Sequence, residues 1–146
     1  MFERMSQSEC IARLVAGRIG RVGVIVDEAP HVLPVNYTGT ASGAVVFRTA
    51  EGTLLTQVDG RLVVFEIDGF DLKKALGWSV CVHGRGHEVA TPDATATRAL
   101  IDRGLITWAP GPRDRWFSIT PDELTGRRVE LTGDLSHLGW IEGVVS

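Results

Sequence analysis

Arg48 and Thr49, followed four residues later by Thr53, are the residues of this chain best suited to hold an anion. A phosphate needs a planar fork of donors together with hydroxyl or free amide groups, and a strand ending in Arg48-Thr49 and opening into a short helix offers all of these. A flat ring system needs apolar or aromatic walls and a few polar edge contacts, for which Asn36, Tyr37, Trp78 and Trp108 are suitable types. Each has a plainer use. Arg48 can be a surface arginine paired with an acid, Asn36 can bond a turn, and the tryptophans can pack a core or an interface.

Other chemistries find less support. His83 and His87 fall on one face of an alternating run, but strand neighbours four residues apart lie about 13 Å from each other, too far to share one ion. Metal binding is therefore not expected. Gly17, Gly20 and Gly23 match neither a dinucleotide fingerprint nor a P-loop, and no nucleophile elbow surrounds any serine. Asp27-Glu28 and Asp122-Glu123 sit at turns, where solvated acids are the rule. Cys10 and Cys81 stand apart and read as reduced and buried.

The elements that must position these groups are mostly strands. Ser6-Gln7-Ser8-Glu9 has capping-box spacing and starts a helix with Ile11, Leu14 and Val15 on one face, ended by Gly17 in the left-handed conformation. Ile19 to Val26 and His31 to Tyr37 form a hairpin about Asp27-Glu28-Ala29-Pro30. Pro34 removes a ladder donor and marks an edge, a bulge or a ligand contact. Strands follow at Ala44 to Thr49 and Arg61 to Ile67, with a short helix from Thr49 through Val58 between them. Gly77 to Ala90 alternates as a long strand, with Val80, Val82, Gly84 and Gly86 on one face and glycines that permit curvature. A helix from Thr91 to Gly104, a rigid loop from Trp108 to Asp114, and closing strands at Arg115 to Ile119 and Leu124 to Val129 complete the pattern. Such an order predicts a mainly β fold, a six-stranded antiparallel barrel with short flanking helices.

With 146 residues, 44% of them hydrophobic, the chain forms one domain, 1–146, whose core covers about residues 6–129 and whose tail, 130–146, has no assignment. The net charge of −3, with no block of like charge, argues against nucleic acid. No apolar run approaches the roughly 18 residues of a membrane span and no signal core is present, so the expectation is a soluble cytoplasmic protein without a membrane partner.

Arg18-Ile19-Gly20-Arg21-Val22-Gly23, Pro34-Val35-Asn36-Tyr37, Val46-Phe47-Arg48-Thr49 with Gly52-Thr53, and Trp108-Ala109-Pro110-Gly111-Pro112-Arg113 occur in the order of the motifs of the pyridoxamine 5′-phosphate oxidase-like flavoproteins, which the chain resembles over about residues 6–129. The resemblance implies an FMN-binding split barrel that forms a homodimer with flavin at the subunit interface. It implies that Pro34, Val35, Asn36 and Tyr37 lie along the flavin ring, that Phe47, Arg48, Thr49, Thr53 and Leu54 form the phosphate end, that Trp78 and Ser79 approach the pocket, and that Trp108 reaches across from the partner. The activity it implies is FMN-dependent hydride or electron transfer to a small organic substrate, with no side chain acting as nucleophile. A deazaflavin-dependent reductase and a non-catalytic flavin- or haem-binding protein are the alternatives. Many relatives carry lysine where this chain has Leu54, and losing that charged contact costs about 1.5–3 kcal/mol of phosphate binding unless another cation replaces it.

Overall fold

The computed structural model describes residues 2–89 and 114–133. A short strand β1 (Phe2–Arg4) leads into helix α1 (Gln7–Ala16), whose capping box is complete: Glu9 donates its backbone N–H to Ser6 Oγ at 3.2 Å, and the Ser6 N–H donates to Glu9 Oε2 at 3.1 Å. Cys10 and Leu14 are buried and Ile11 is partly so, whereas Val15 stays exposed. Gly17 does not adopt the expected left-handed conformation; it is extended, with φ −74°. Its role is steric. A Cβ here would lie 2.0 Å from the Tyr37 hydroxyl, which donates to the Leu14 carbonyl at 2.8 Å and ties α1 to the barrel.

The hairpin of β2 (Ile19–Val26) and β3 (Ala29–Gly39) turns on Asp27 and Glu28 alone, both at positive φ, so the connection is tighter than four residues. Tyr37 N–H donates to the Arg18 carbonyl at 3.0 Å, and hydrogen-bonded pairs alternate from there along the ladder. Pro34, opposite Arg21, falls on a non-bonded pair, so its missing N–H faces away from β2. On that side β4 (Val45–Ala50) pairs β3 only over Tyr37–Gly39. The edge of β3 before Tyr37 is the split in the barrel.

The helix expected from Thr49 is shorter and later: a 3-10 helix, Leu54–Val58, with Thr53 at its cap and no side-chain cap bond. Thr49 belongs to β4, and a turn over Ala50–Thr53 intervenes. Strands β5 (Leu62–Asp71) and β6 (Leu76–Val89) form a long hairpin. Along β6, Val80, Val82, Gly84 and Gly86 are buried and His83, Arg85 and His87 are exposed, as the alternation requires. The two closing strands are one, β7 (Asp114–Glu130). A register shift at His83/Gly84 absorbs Pro121-Asp122 as a bulge, and Gly84 is needed there because a Cβ would fall 1.9 Å from the Thr120 carbonyl oxygen.

The sheet order is β1-β7-β4-β3-β2-β5-β6, and β6 also pairs β7, which closes an antiparallel ring of six strands with β1 added on β7. The inside holds Val22, Tyr37, Phe47, Phe65, Val80, Phe117 and Ile119, all fully buried. Tyr37 meets Phe65 edge-on at 4.7 Å, and Phe47 stacks on Phe117 at 5.9 Å. Each such side chain contributes about 1.5–3 kcal/mol by leaving water. Among the described residues no helix is long and apolar enough to cross a membrane. The expected helix from Thr91 to Gly104, Trp108 and the loop after it as far as Arg113 lie outside the described residues.

Candidate functional site

Even-numbered residues of β3 and β4 face outward from the barrel. Arg48 is half-buried on that outer face near the end of β4, opposite Trp116 of β7. Trp116 packs against Val46 and Val89 in a small apolar cluster of its own. Beside Arg48, the hydroxyls of Thr49 and Thr53 lie 2.6 Å apart across the turn that leads to the 3-10 helix, and partly buried Leu54 follows. The cation and the two hydroxyls are thus neighbours in sequence at one end of β4, with Arg48 on the outer face and Thr49 buried on the inner one. The helix N-terminus expected to assist them is a single 3-10 turn of five residues, too short to add a useful dipole.

The ring-binding candidates divide by strand parity. Pro34 and Asn36 are exposed on the outer face, available to a ligand. Val35, Tyr37 and Phe47 point inward and are buried, so their side chains build the core and only their backbone edge remains for contacts outside. An aromatic wall at Tyr37 is thereby corrected to an internal packing role. Ser79 is half-buried on the outer face of β6.

Trp78 lies elsewhere. It packs under α1 at one end of the barrel, with the Arg13 guanidinium 4.4 Å from its ring centroid. There it lines a cavity of about 780 Å³ together with Arg13, Arg18, Ile19, Arg21 and Lys73. Arg48, Thr49 and Thr53 are not part of that lining. One chain therefore presents two separate groups, the Arg48 end of β4 and the Trp78 cavity, instead of the single pocket the sequence suggested.

The electrostatics include pairs that residue types alone did not reveal. Arg115 holds Glu88 in a two-pronged contact, Nε and Nη2 each at 2.8 Å from a carboxylate oxygen, and its hydrogen bonds keep the Glu88 carboxyl below its usual range. Arg21 contacts Glu66 at 3.1 Å and Asp68 at 3.3 Å. Burial, and secondarily the Asp68 charge, nevertheless raise the Glu66 carboxyl above its usual range. Cys10 is buried as expected, but Cys81 is only half-buried; burial is the main cause that raises both thiols. These pairings span 27 and 45 residues of sequence, which is why no local pattern signalled them.

A model of the pyridoxamine 5′-phosphate oxidase family matches residues 6–128. An uncharacterized protein of Mycobacterium tuberculosis is 29% identical over 131 residues, covering 86% of this chain and 84% of its own length. The structure of an FAD-binding protein from Mycobacterium smegmatis superposes with a TM-score of 0.68 at 30% identity, covering 89% of this chain and 100% of the other. That of an FAD-binding protein from Mesorhizobium loti gives 0.67 at 22% identity over 89% and 99%, a likeness of fold.

Proposed function

The chain belongs to the pyridoxamine 5′-phosphate oxidase family, and from that premise we propose that it is a flavin-dependent oxidoreductase, acting on a small organic substrate and binding its cofactor on the outer face of the barrel. The observation that carries this reading is Arg48, half-buried on that face one residue from the Thr49–Thr53 hydroxyl pair. Arg48 fits a phosphate because its guanidinium offers two parallel donors, and Thr53, partly buried at the head of the following turn, has a hydroxyl to add to them.

Bound flavin supplies hydride or electron transfer. The chain's own residues supply placement. Arg48 and Thr53 fix the phosphate, the Asn36 amide offers donors and an acceptor to a ring edge, and Pro34 gives an apolar surface that keeps water from it. A second subunit placed against this face would complete the wall, which accords with a homodimer.

Leu54 favours a second reading. It sits at the head of the 3-10 helix, where a lysine would have added a charged donor, and a flavin or haem carrier without turnover tolerates that loss more readily than an enzyme does. A deazaflavin coenzyme is a further choice at the same face. The absorption spectrum of the freshly purified protein is the first test. A flavin spectrum bleached by a nicotinamide donor and restored by an acceptor is expected; a flavin spectrum without cycling favours the carrier. Arg48→Ala is expected to lose the cofactor on gel filtration while keeping its fold. Retention of full flavin by that variant rejects the Arg48 site.

A further inference from the structure

We propose that the cavity at the barrel end, between the α1–β2 connection and the β5–β6 turn, holds the substrate, and that it takes a planar monocarboxylate, an aromatic or conjugated acid anchored by its carboxylate. The substrate role rests on the flavin reading above; the ligand class rests on the cavity alone. Its volume, about 780 Å³, lies within the range of small-molecule sites.

The charges lining it do not cancel. Arg21 is committed to Glu66 and Asp68, at 3.1 and 3.3 Å, and the Arg13 guanidinium lies 4.4 Å from the centre of the Trp78 ring. Arg18 and Lys73 remain, one from each of the two elements that bound the cavity; both are exposed, and among the described residues neither has an ion-pair partner. The acid left beside them is Asp71, whose carboxylate accepts the Lys74 backbone N–H at 3.0 Å. Two cations and one acid leave a single positive charge to be matched, which suits a monoanion better than a phosphate dianion. The Arg18 fork and the Lys73 ammonium are both carboxylate donors.

The rest of the lining calls for an apolar body. Ile19 and Phe70 expose large apolar side chains to the cavity, and the half-buried Trp78 ring adds an aromatic surface. Gly69 makes room for that ring, since a Cβ there would lie 2.7 Å from its Cζ2. A flat hydrophobic anion uses the cations and these walls together; an inorganic anion leaves the walls wet. The position suits a substrate. Ile19 and Arg21 pair across β2–β3 with Asn36 and Pro34, the outward residues proposed to meet the flavin ring, and β4 with Arg48 lies on the other side of β3. The ring surface thus has the proposed phosphate ligand on one side and the cavity, one strand away, on the other. A carboxylate held by Arg18 and Lys73 is an anchor and takes no part in the transfer.

The test is calorimetric titration of the full chain, as purified with its flavin, using naphthoate, naphthamide and naphthyl phosphate as probes, for native protein and for Arg18→Ala with Lys73→Ala. Arg18 meets the barrel through its backbone carbonyl, which accepts the Tyr37 N–H at 3.0 Å, so truncating its side chain spares that bond. Native protein is expected to bind naphthoate at least about tenfold more tightly than the amide or the phosphate ester, with a shift of the flavin absorption bands on binding. The double variant is expected to lose that preference while keeping its flavin and binding the amide within about twofold of native, which shows that the fold is intact. Naphthoate binding that is absent, or that survives the double substitution, overturns the site and leaves the flavin reading standing. Tighter binding of the phosphate ester overturns the carboxylate class, and naphthoate binding that leaves the flavin bands unmoved overturns the substrate role. A chain purified without flavin that still binds naphthoate through Arg18 and Lys73 overturns the flavin reading and the substrate role, and leaves the carboxylate site standing.

Discussion

Two glutamates on this barrel respond to pH in opposite senses. The Glu88 carboxyl is held below its usual range by Arg115, so its contribution is fully present above the unfolded-state value and is lost as pH falls through the folded one. Glu66 is held above its usual range by burial, so its ionisation works against the fold at neutral pH and protonation relieves it. Thermal unfolding at neutral and acid pH separates them. Glu88→Gln is expected to lower Tm at neutral pH and to converge on native protein once the pH falls low enough to protonate Glu88 in the folded state, while Glu66→Gln leaves Tm unchanged or higher at neutral pH, because Arg21 keeps Asp68 as its partner. Gly17→Ala addresses a different interaction: the added methyl displaces the Tyr37 ring and breaks its bond to Leu14, a loss of about 1–3 kcal/mol measurable by urea unfolding. At this scale residue type was legible and direction was not. Arg48 was recognisable from its neighbours as a candidate anion ligand and stays a proposal, whereas the inward turn of Tyr37 depends on strand parity relative to α1, which single residues do not report.

Elements were legible wherever one local rule decided them. The capping box of α1 and the alternation of β6 both follow from near neighbours, and both form as read. The rule failed where a distant partner decided. Asp122-Glu123 reads as a turn between two strands, yet β6 continues past it and the bulge opposite Gly84 keeps β7 whole. Thr49 reads as a helix cap, yet pairing with Arg115 of β7 holds it in β4. The β2–β3 turn carries a cost that can be removed, since Asp27 and Glu28 occupy left-handed backbone at φ 51° and 65°. Asp27→Asn with Glu28→Gly supplies the residues such a turn prefers and is expected to stabilise the chain by about 0.5–1 kcal/mol in urea unfolding, with cofactor binding unchanged. Destabilisation by this pair of substitutions contradicts a two-residue turn.

For the whole molecule, the outer face of β2, β3 and β5 sets the expectation. Ile25, Val32 and Leu62 are 63%, 70% and 66% exposed. Gly23 pairs with both Val32 and Val64, and Ile25 and Leu62 lie two residues beyond the Gly23–Val64 pair, so the three form one patch across adjacent strands. A monomer in water seldom keeps such a surface open. The patch continues through Pro34 toward Asn36 on the same face, so in the proposed homodimer a second copy seated there would bury it and wall the ring surface together. Light scattering of the native chain at micromolar concentration is expected to give twice the mass of one subunit. Val32→Asp with Leu62→Asp is expected to give the single-chain mass, and cofactor should leave with the partner although Arg48 and the barrel are untouched. A native protein that is monomeric yet holds flavin fully shows that one chain suffices, and the ring surface must then be closed by this chain's own residues.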